Sequence, residues 1–221
     1  MTRTHMEQQL DEIQGDMLVL AGMVETAISR AIEALRDRDL PLARSVIADD
    51  MKINRRRYDT EEKCIELIAT QQPLAGDLRV IVAVLHIIVD LERMGDHAEG
   101  IAKIAIILAD DPPLKPYIDI PRMAEAGAEM LRDSLQAFRD RDVALARAVC
   151  DRDDYVDALY DQIYRELLII MLNDPKTIER ATHLTWVAHN LERIADRVTN
   201  ICERVVYLVE GKIEELNVSK Y

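Results

Sequence analysis

The sequence predicts an all-α protein made of two tandem three-helix bundles. Only 7 glycines and 7 prolines occur among the 221 residues, and aromatic residues make up 4% of the chain. Helix-favouring residues such as Ala, Leu, Ile, Met, Glu and Arg dominate instead. Apolar residues also recur every three or four positions over long stretches, and the second half of the chain repeats the first.

The first half contains three long periodic stretches. Asp39 and Pro41 provide a cap and an early proline for the second helix, and Pro73 follows its end. The predicted helices span about 6–36, 41–70 and 75–109. Because the turns between them are short, neighbouring helices must run antiparallel.

A proline-rich stretch at 110–121 marks the boundary between the halves, and we place the domains at 1–112 and 113–221. The segment 137–147 repeats the pattern of 34–44, including an Arg-Asp-Arg-Asp turn. The predicted helices of the second half span about 121–139, 143–172 and 175–210. The second half is therefore an internal copy of the first.

The formal net charge of −13 limits the classes of partner. Such a chain repels nucleic-acid phosphates and anionic lipid head groups. A metal cation or a basic protein surface is the expected attraction, and a nucleic-acid-binding role is excluded.

The cysteines and the apolar segments indicate a cytoplasmic protein without membrane insertion. Cys64, Cys150 and Cys202 are isolated and form no CxxC pattern, as expected of buried thiols in a reducing compartment. The polar segment 1–16 does not resemble a secretory signal. The longest apolar run, Val80–Val89, is shorter than the roughly 20 residues that span a bilayer, and it is the candidate subunit contact of a homodimer.

Two acidic pairs recur at corresponding places in the halves. Glu92 and Asp96 in the first half, and Glu192 and Asp196 in the second, are four residues apart, so each pair lies on one helix face. Like charges at this spacing weaken a helix by a few tenths of a kcal/mol. Both pairs lie opposite the apolar stripe of their helix, which places any site they form on an outer face.

A third acidic pair, Asp157 and Asp161, lies on the preceding helix of the second half. Because that helix runs antiparallel to the last one, its acids are expected to converge with Glu192 and Asp196. Four clustered carboxylates need a counter-charge, and iron, manganese, magnesium or zinc would supply it.

The first half is less complete. Arg57 stands at the position of Asp157 and Glu61 at that of Asp161, so Arg57 could neutralise Glu61 in place of a metal. A plain alternative for all these acids is a set of solvated helix faces.

The segments 72–79, 91–96 and 191–196, in two three-helix halves, resemble the PhoU family. The resemblance implies a fold that binds metal clusters through surface acidic pairs. It also implies a cytosolic regulator that connects the Pst phosphate importer to a phosphate-sensing histidine kinase and restrains both when phosphate is plentiful.

Carried over by position, the metal-binding residues are those of the acidic pairs. They comprise Asp157, Asp161, Glu192, Asp196, Glu61, Glu92 and Asp96. The resemblance implies metal ions such as iron, zinc or manganese, also as multinuclear clusters. Its implied partners are the sensor kinase and the transporter ATPase subunit. Arg57 and Ala195 depart from the family pattern.

Three functions remain open at this point. A non-catalytic regulator is the expectation from the resemblance. A carboxylate-bridged di-metal enzyme is the alternative, but such sites use Glu-x-x-His pairs inside a bundle, whereas these acids are Glu-xxx-Asp pairs that face outward. A structural bundle with solvated acids is the third.

Overall fold

A computed structural model of the protein describes residues 3–216 of the chain. The helices are α1 (Arg3–Asp37), α2 (Leu40–Gln71), α3 (Ala75–Leu108), α4 (Asp119–Asp140), α5 (Val143–Cys150), α6 (Asp153–Asn173) and α7 (Ile178–Glu210), with a 3-10 turn at Pro175–Thr177 before α7. No strand occurs in residues 3–216. The predicted all-α fold of two three-helix halves is confirmed, while the domain limits of 1–112 and 113–221 stay a prediction, and their outer ends lie outside the described residues.

The repeated Arg-Asp-Arg-Asp turns fold alike in both halves. Arg38 and Arg141 adopt left-handed backbone conformations, with φ of 54° and 53°. The next residues, Asp39 and Asp142, each accept a 2.9 Å hydrogen bond at the side chain from the backbone N–H three residues further on. Each aspartate therefore caps the following helix. The predicted cap at Asp39 is confirmed.

The prediction of one continuous helix over 143–172 is wrong. The backbone N–H of Arg152 donates to Val149, and that of Tyr155 donates to Arg152, three residues back in both cases and at 3.1 Å. This tighter pattern separates α5 from α6. Arg152 at the break forms a 2.6 Å salt bridge with Asp133 of α4. Apolar periodicity shows which side of a segment faces the core, and it carries no information on such a contact between elements.

The halves are joined through α3 and α7, which pack against each other. His97 Nδ1 lies 2.9 Å from Asn190 Oδ1, and Arg197 donates to Asp90 at 3.3 Å. Asp90 and Asn190 are equivalent in the repeat, as are His97 and Arg197. Asn200 also donates to Asp90, at 3.0 Å. The contacts are therefore reciprocal, as in the interface of a symmetric dimer.

The core runs through both halves and includes the segment expected to form a subunit contact. In the run Val80–Val89, Val84, Ile87 and Ile88 are fully buried within the chain itself, and His86 is the one exposed residue. These apolar side chains are therefore not available to a second subunit, and that expectation is wrong. The reason is that α3 lies between α1, α2 and α7 and is covered on several sides.

The three cysteines are free and buried. No helix among residues 3–216 has the length and apolar character to cross a membrane.

Two acidic clusters as candidate functional sites

The second cluster comprises Asp157, Asp161, Glu192 and Asp196. All four line one groove of about 940 Å³ between α6 and α7. The four residues that were expected to converge thus line the same groove. They are partly exposed, so the cluster is open to solvent and lies outside the apolar core.

Glu192 is the most perturbed carboxyl group of the second cluster. Burial, followed by the charges of Asp196 and Asp157, raises the pKa of Glu192 to about 7, while Arg193 opposes the shift. Its Oε2 atom is buried and accepts no hydrogen bond from the described residues. His189 Nδ1 comes within 3.2 Å of this atom, but without hydrogen-bond geometry. Because no hydrogen bond reaches this oxygen, ionised Glu192 is under-compensated here.

Arginines contact two other acids of the second cluster. Arg193 donates to Asp196 at 2.7 Å, and Arg165 donates to Asp161 at 3.2 Å. Both pairs lie within a single helix and are partly exposed to solvent. Pairs of this kind stabilise a helix by a few tenths of a kcal/mol and can be exchanged for other partners.

The first cluster comprises Arg57, Glu61, Glu92 and Asp96, on α2 and α3. Arg57 Nη1 lies 2.8 Å from Glu61 Oε2, and the guanidinium stacks over the ring of Tyr58 at 4.7 Å from its centroid. The sequence-based interpretation of Arg57 as the partner of Glu61 is confirmed. Arg93 donates to Asp96 at 2.9 Å, as Arg193 does to Asp196.

Glu92 differs from its counterpart Glu192 in its electrostatic surroundings. Burial and the charge of Asp96 raise the pKa of Glu92, but both Arg93 and Arg57 oppose the shift. At Glu192 the position equivalent to Arg57 is an aspartate that adds to the shift. Arg57 therefore lowers the pKa of the neighbouring glutamate, whereas Asp157 at the equivalent position raises it.

Sequence reasoning missed Asp50, which joins the first cluster. Burial, then the charges of Glu99 and Asp96, raise the pKa of Asp50. Its Oδ2 accepts a 2.8 Å hydrogen bond from Asn54, and its Oδ1 is buried without a hydrogen-bond partner among the described residues. A signal was present, because positions 50, 54, 57 and 61 follow one stripe of α2. Asp154 follows the same stripe on α6 and lines the second groove.

Gly95 and Ala195, equivalent in the repeat, mark another difference between the clusters. A Cβ atom on Gly95 would lie 3.1 Å from Ile53 Cγ2 on α2. Ala195 is fully buried in the second half. A methyl group is therefore accommodated in the interior at position 195.

The donor atoms of the second cluster are carboxylate oxygens, which suit hard cations. The under-compensated Oε2 of Glu192 is consistent with a cation ligand. Within residues 3–216, however, no three His, Cys, Asp or Glu side chains are arranged to hold a metal ion. Arginines contact several of these carboxylates. The metal-ligand assignments of Asp157, Asp161, Glu192, Asp196, Glu61, Glu92 and Asp96 stay predictions.

Comparison with known proteins identifies the family. The PhoU domain model matches residues 17–105 and again 120–205. The chain is 47% identical over 206 residues to a phosphate-specific transport system accessory protein PhoU homolog of Aquifex aeolicus, covering 93% of both chains. It is 40% identical over 218 residues to the homolog of Clostridium acetobutylicum, covering 98% of this chain and 100% of the other.

Solved structures agree with this comparison. The crystal structure of PhoU from Pseudomonas aeruginosa superposes with a TM-score of 0.89 at 35% identity, covering 93% of this chain and 99% of that one. The crystal structure of the phosphate transport system regulatory protein PhoU from Streptococcus pneumoniae superposes with a TM-score of 0.88 at 31% identity, covering 95% of this chain and 99% of that one. This chain therefore belongs to the PhoU family.

Proposed function

We propose that this protein is a cytosolic regulator of phosphate uptake and of the phosphate-starvation response. The observation that carries the proposal is near full-length similarity to proteins named as accessory proteins of the phosphate-specific transport system. In this proposal the protein restrains the phosphate importer through its ATPase subunit and a phosphate-sensing histidine kinase when phosphate is plentiful. It acts as a homodimer and performs no catalysis.

The second cluster is the proposed metal site of this regulator. Asp157, Asp161, Glu192 and Asp196 would hold iron, zinc or manganese, as one ion or as a multinuclear cluster. Bound metal supplies positive charge that neutralises the carboxylates of the groove. The cost of ionising partly buried Glu192 supports the proposal, because a cation would offset it.

The residues around the cluster have separable roles in this mechanism. Asp196 and Asp161 would hold the cation in place of their arginine partners, and both arginine pairs are partly exposed, so they contribute little to stability. Glu192 would hold it as the carboxylate, which requires release of a proton where the pH is below about 7. Since the groove is open to solvent, the change in surface charge is accessible to a partner protein.

The di-metal enzyme is not proposed. The acids line a solvent-open groove at the outer side of the bundle rather than an enclosed interior chamber. A regulator needs such accessibility, whereas a di-metal oxidase uses side chains that project into the bundle core.

Deleting the gene in its host tests the regulatory role. At high phosphate we expect alkaline phosphatase to be derepressed and phosphate uptake to rise, with both restored by the wild-type gene. Unchanged repression and uptake would contradict the proposal.

Metal analysis of the purified protein tests the site. Single neutralisations of Asp157, Asp161, Glu192 and Asp196 are expected to lower the bound metal at least tenfold. Glu179→Gln is the matched control, because Glu179 is exposed at the start of α7 and is not part of the groove. Retained metal in all four variants would exclude this site.

A further inference from the structure

We infer that Arg57 is the resident cation of the first cluster, so that metal ions act on the second half of the protein alone. The inference deepens the proposed function and rests on it for the second half. The internal repeat makes the two clusters comparable position by position, since Arg57, Glu61, Glu92 and Asp96 correspond to Asp157, Asp161, Glu192 and Asp196.

The first observation is the placement of the guanidinium. It forms a 2.8 Å ion pair with Glu61 in which the side chains are only 18% and 32% exposed. Its charge also acts on Glu92 of the neighbouring helix. A single group on α2 thus pairs directly with an acid of its own helix and favours the ionised form of an acid on α3, although burial and Asp96 still keep the pKa of Glu92 raised.

The second observation is the restraint on Arg57. The guanidinium stacks on Tyr58, its Nη1 pairs with Glu61, and its Nε is buried without a hydrogen-bond partner among the described residues. A guanidinium stays protonated throughout the physiological pH range and is more weakly hydrated than an ammonium ion, so it tolerates partial burial. Arg57 is therefore a permanent charge, unlike a metal ion that binds and leaves.

The third observation is the difference in formal charge. The four equivalent side chains carry −2 in the first cluster and −4 in the second when all are ionised. Asp50 in the first cluster and Asp154 in the second groove each add one negative charge, so the difference of two charges remains, which is the charge of one divalent cation. A partner that contacts the first half consequently meets a constant surface, whereas one that contacts the second half meets a metal-dependent surface.

Equilibrium dialysis against Mn²⁺ tests the inference on the full chain. Arg57→Asp is expected to add a second binding site whose Mn²⁺ stoichiometry equals that of the wild-type site. Arg55→Asp is the matched control, because Arg55 is on the same helix, makes the same charge change, and is 78% exposed in a pair with Asp59. The control is expected to retain the wild-type stoichiometry.

The doubly neutralised variants assign each site to its half. Glu192→Gln with Asp196→Asn is expected to abolish Mn²⁺ binding in the wild-type background and to leave one site in the Arg57→Asp background. Loss of wild-type binding on Glu92→Gln with Asp96→Asn would overturn the inference. An unchanged stoichiometry in Arg57→Asp would also overturn it.

The outcomes separate the inference from the proposed function. If wild type binds no Mn²⁺ but Arg57→Asp binds it, the proposed metal site fails and the role of Arg57 stands. If neither wild type nor Arg57→Asp binds Mn²⁺, the inference fails, because an aspartate in place of Arg57 then does not create a metal site.

A metal-free measurement covers the case in which Arg57→Asp does not fold. Arg57→Gln leaves the acids of the first cluster without this counter-charge, and we expect its melting temperature to fall by about 4 °C in the presence of chelator. Arg55→Gln is expected to change it by less than about 1 °C. Equal melting temperatures for the two variants would overturn the inference.

Discussion

The first and second halves of this chain share their capped turns and their buried stripes, yet the sign of the charge differs at one position of their acidic clusters. Arg57 pairs with Glu61 at 2.8 Å in the first half, whereas the equivalent residue of the second half is Asp157 in the groove with Glu192. The comparison shows that a scaffold can keep its core while a single exchange outside the core changes the charge of the cluster.

The halves also differ along the seam between α3 and α7. Asp90 accepts from both Arg197 and Asn200, whereas its counterpart Asn190 contacts His97 and lies against Gly100. The two contacts are therefore placed reciprocally, but the contact at Asp90 is between charged groups and the contact at Asn190 is between neutral groups.

Equivalent core substitutions should cost the same in both halves. Leu91 and Leu191 are buried, at 0% and 2% exposure. Leu91→Ala and Leu191→Ala are each expected to lower the free energy of unfolding by about 3 to 5 kcal/mol through lost burial and an unfilled cavity. Urea denaturation measures both. A difference of more than about 2 kcal/mol would show that the two cores are not equivalent.

Glu192 should make stability depend on pH in the second half. Its pKa is raised from 4.5 in the unfolded chain to about 7 in the folded protein. The folded state therefore holds the proton more tightly, and stability falls as the pH rises from about 4.5 to about 7, then stays constant. The full loss is of the order of 3 kcal/mol.

Glu192→Gln removes this loss, and we expect it to stabilise the metal-free protein at pH 8 while leaving it unchanged near pH 4. Denaturation with chelator at several pH values measures the effect. Glu92→Gln is the matched variant of the first half and should give a smaller change, because Arg57 opposes the shift there. Equal effects of the two substitutions would contradict the comparison.

Between α3 and α7, substitution of Asp90 should lower stability more than substitution of Asn190. Burial raises the pKa of Asp90 despite Asn200 and Arg197, so this carboxylate adds little net stability of its own. Asp90→Ala nevertheless leaves both partners without their acceptor, and we expect a loss of about 2 kcal/mol.

Asn190→Ala removes a hydrogen bond with His97, which is weaker because both side chains are neutral. We expect the free energy of unfolding to fall by about 1 kcal/mol. Both variants are compared by urea denaturation at pH 7. An equal or larger cost for Asn190→Ala would mean that the two ends contribute alike.

Replacing Gly95 of the first cluster by alanine should not give the increase in stability that this substitution usually gives within a helix. Gly→Ala in a helix interior gains about 1 kcal/mol, but a Cβ on Gly95 would press on Ile53 at 3.1 Å. We expect Gly95→Ala to lower stability by less than about 1 kcal/mol, and Ala195→Gly to lose about 1 kcal/mol. A clear stabilisation of Gly95→Ala in thermal unfolding would show that α2 can move away.

Much of the candidate site could be predicted because it is local in sequence. The four-residue spacing of Glu192 and Asp196 and the antiparallel course of α6 and α7 were sufficient to bring four acids to one groove. The pairing of Arg57 with Glu61 also followed from their spacing on one helix. Asp50 was missed because its carboxyl group acts on acids of another helix, and that distance depends on how closely α2 approaches α3 at Gly95.

The sequence by itself determined the all-α class, the duplication, the capped Arg-Asp-Arg-Asp turns and the outward position of the acids. These properties follow from helical periodicity and from interactions within one or two turns. The tertiary structure decided the break at 151–152, the reciprocal contacts between α3 and α7, and the raised pKa of Glu192. Those depend on burial and on distances between segments far apart in the chain, which only the packed molecule sets.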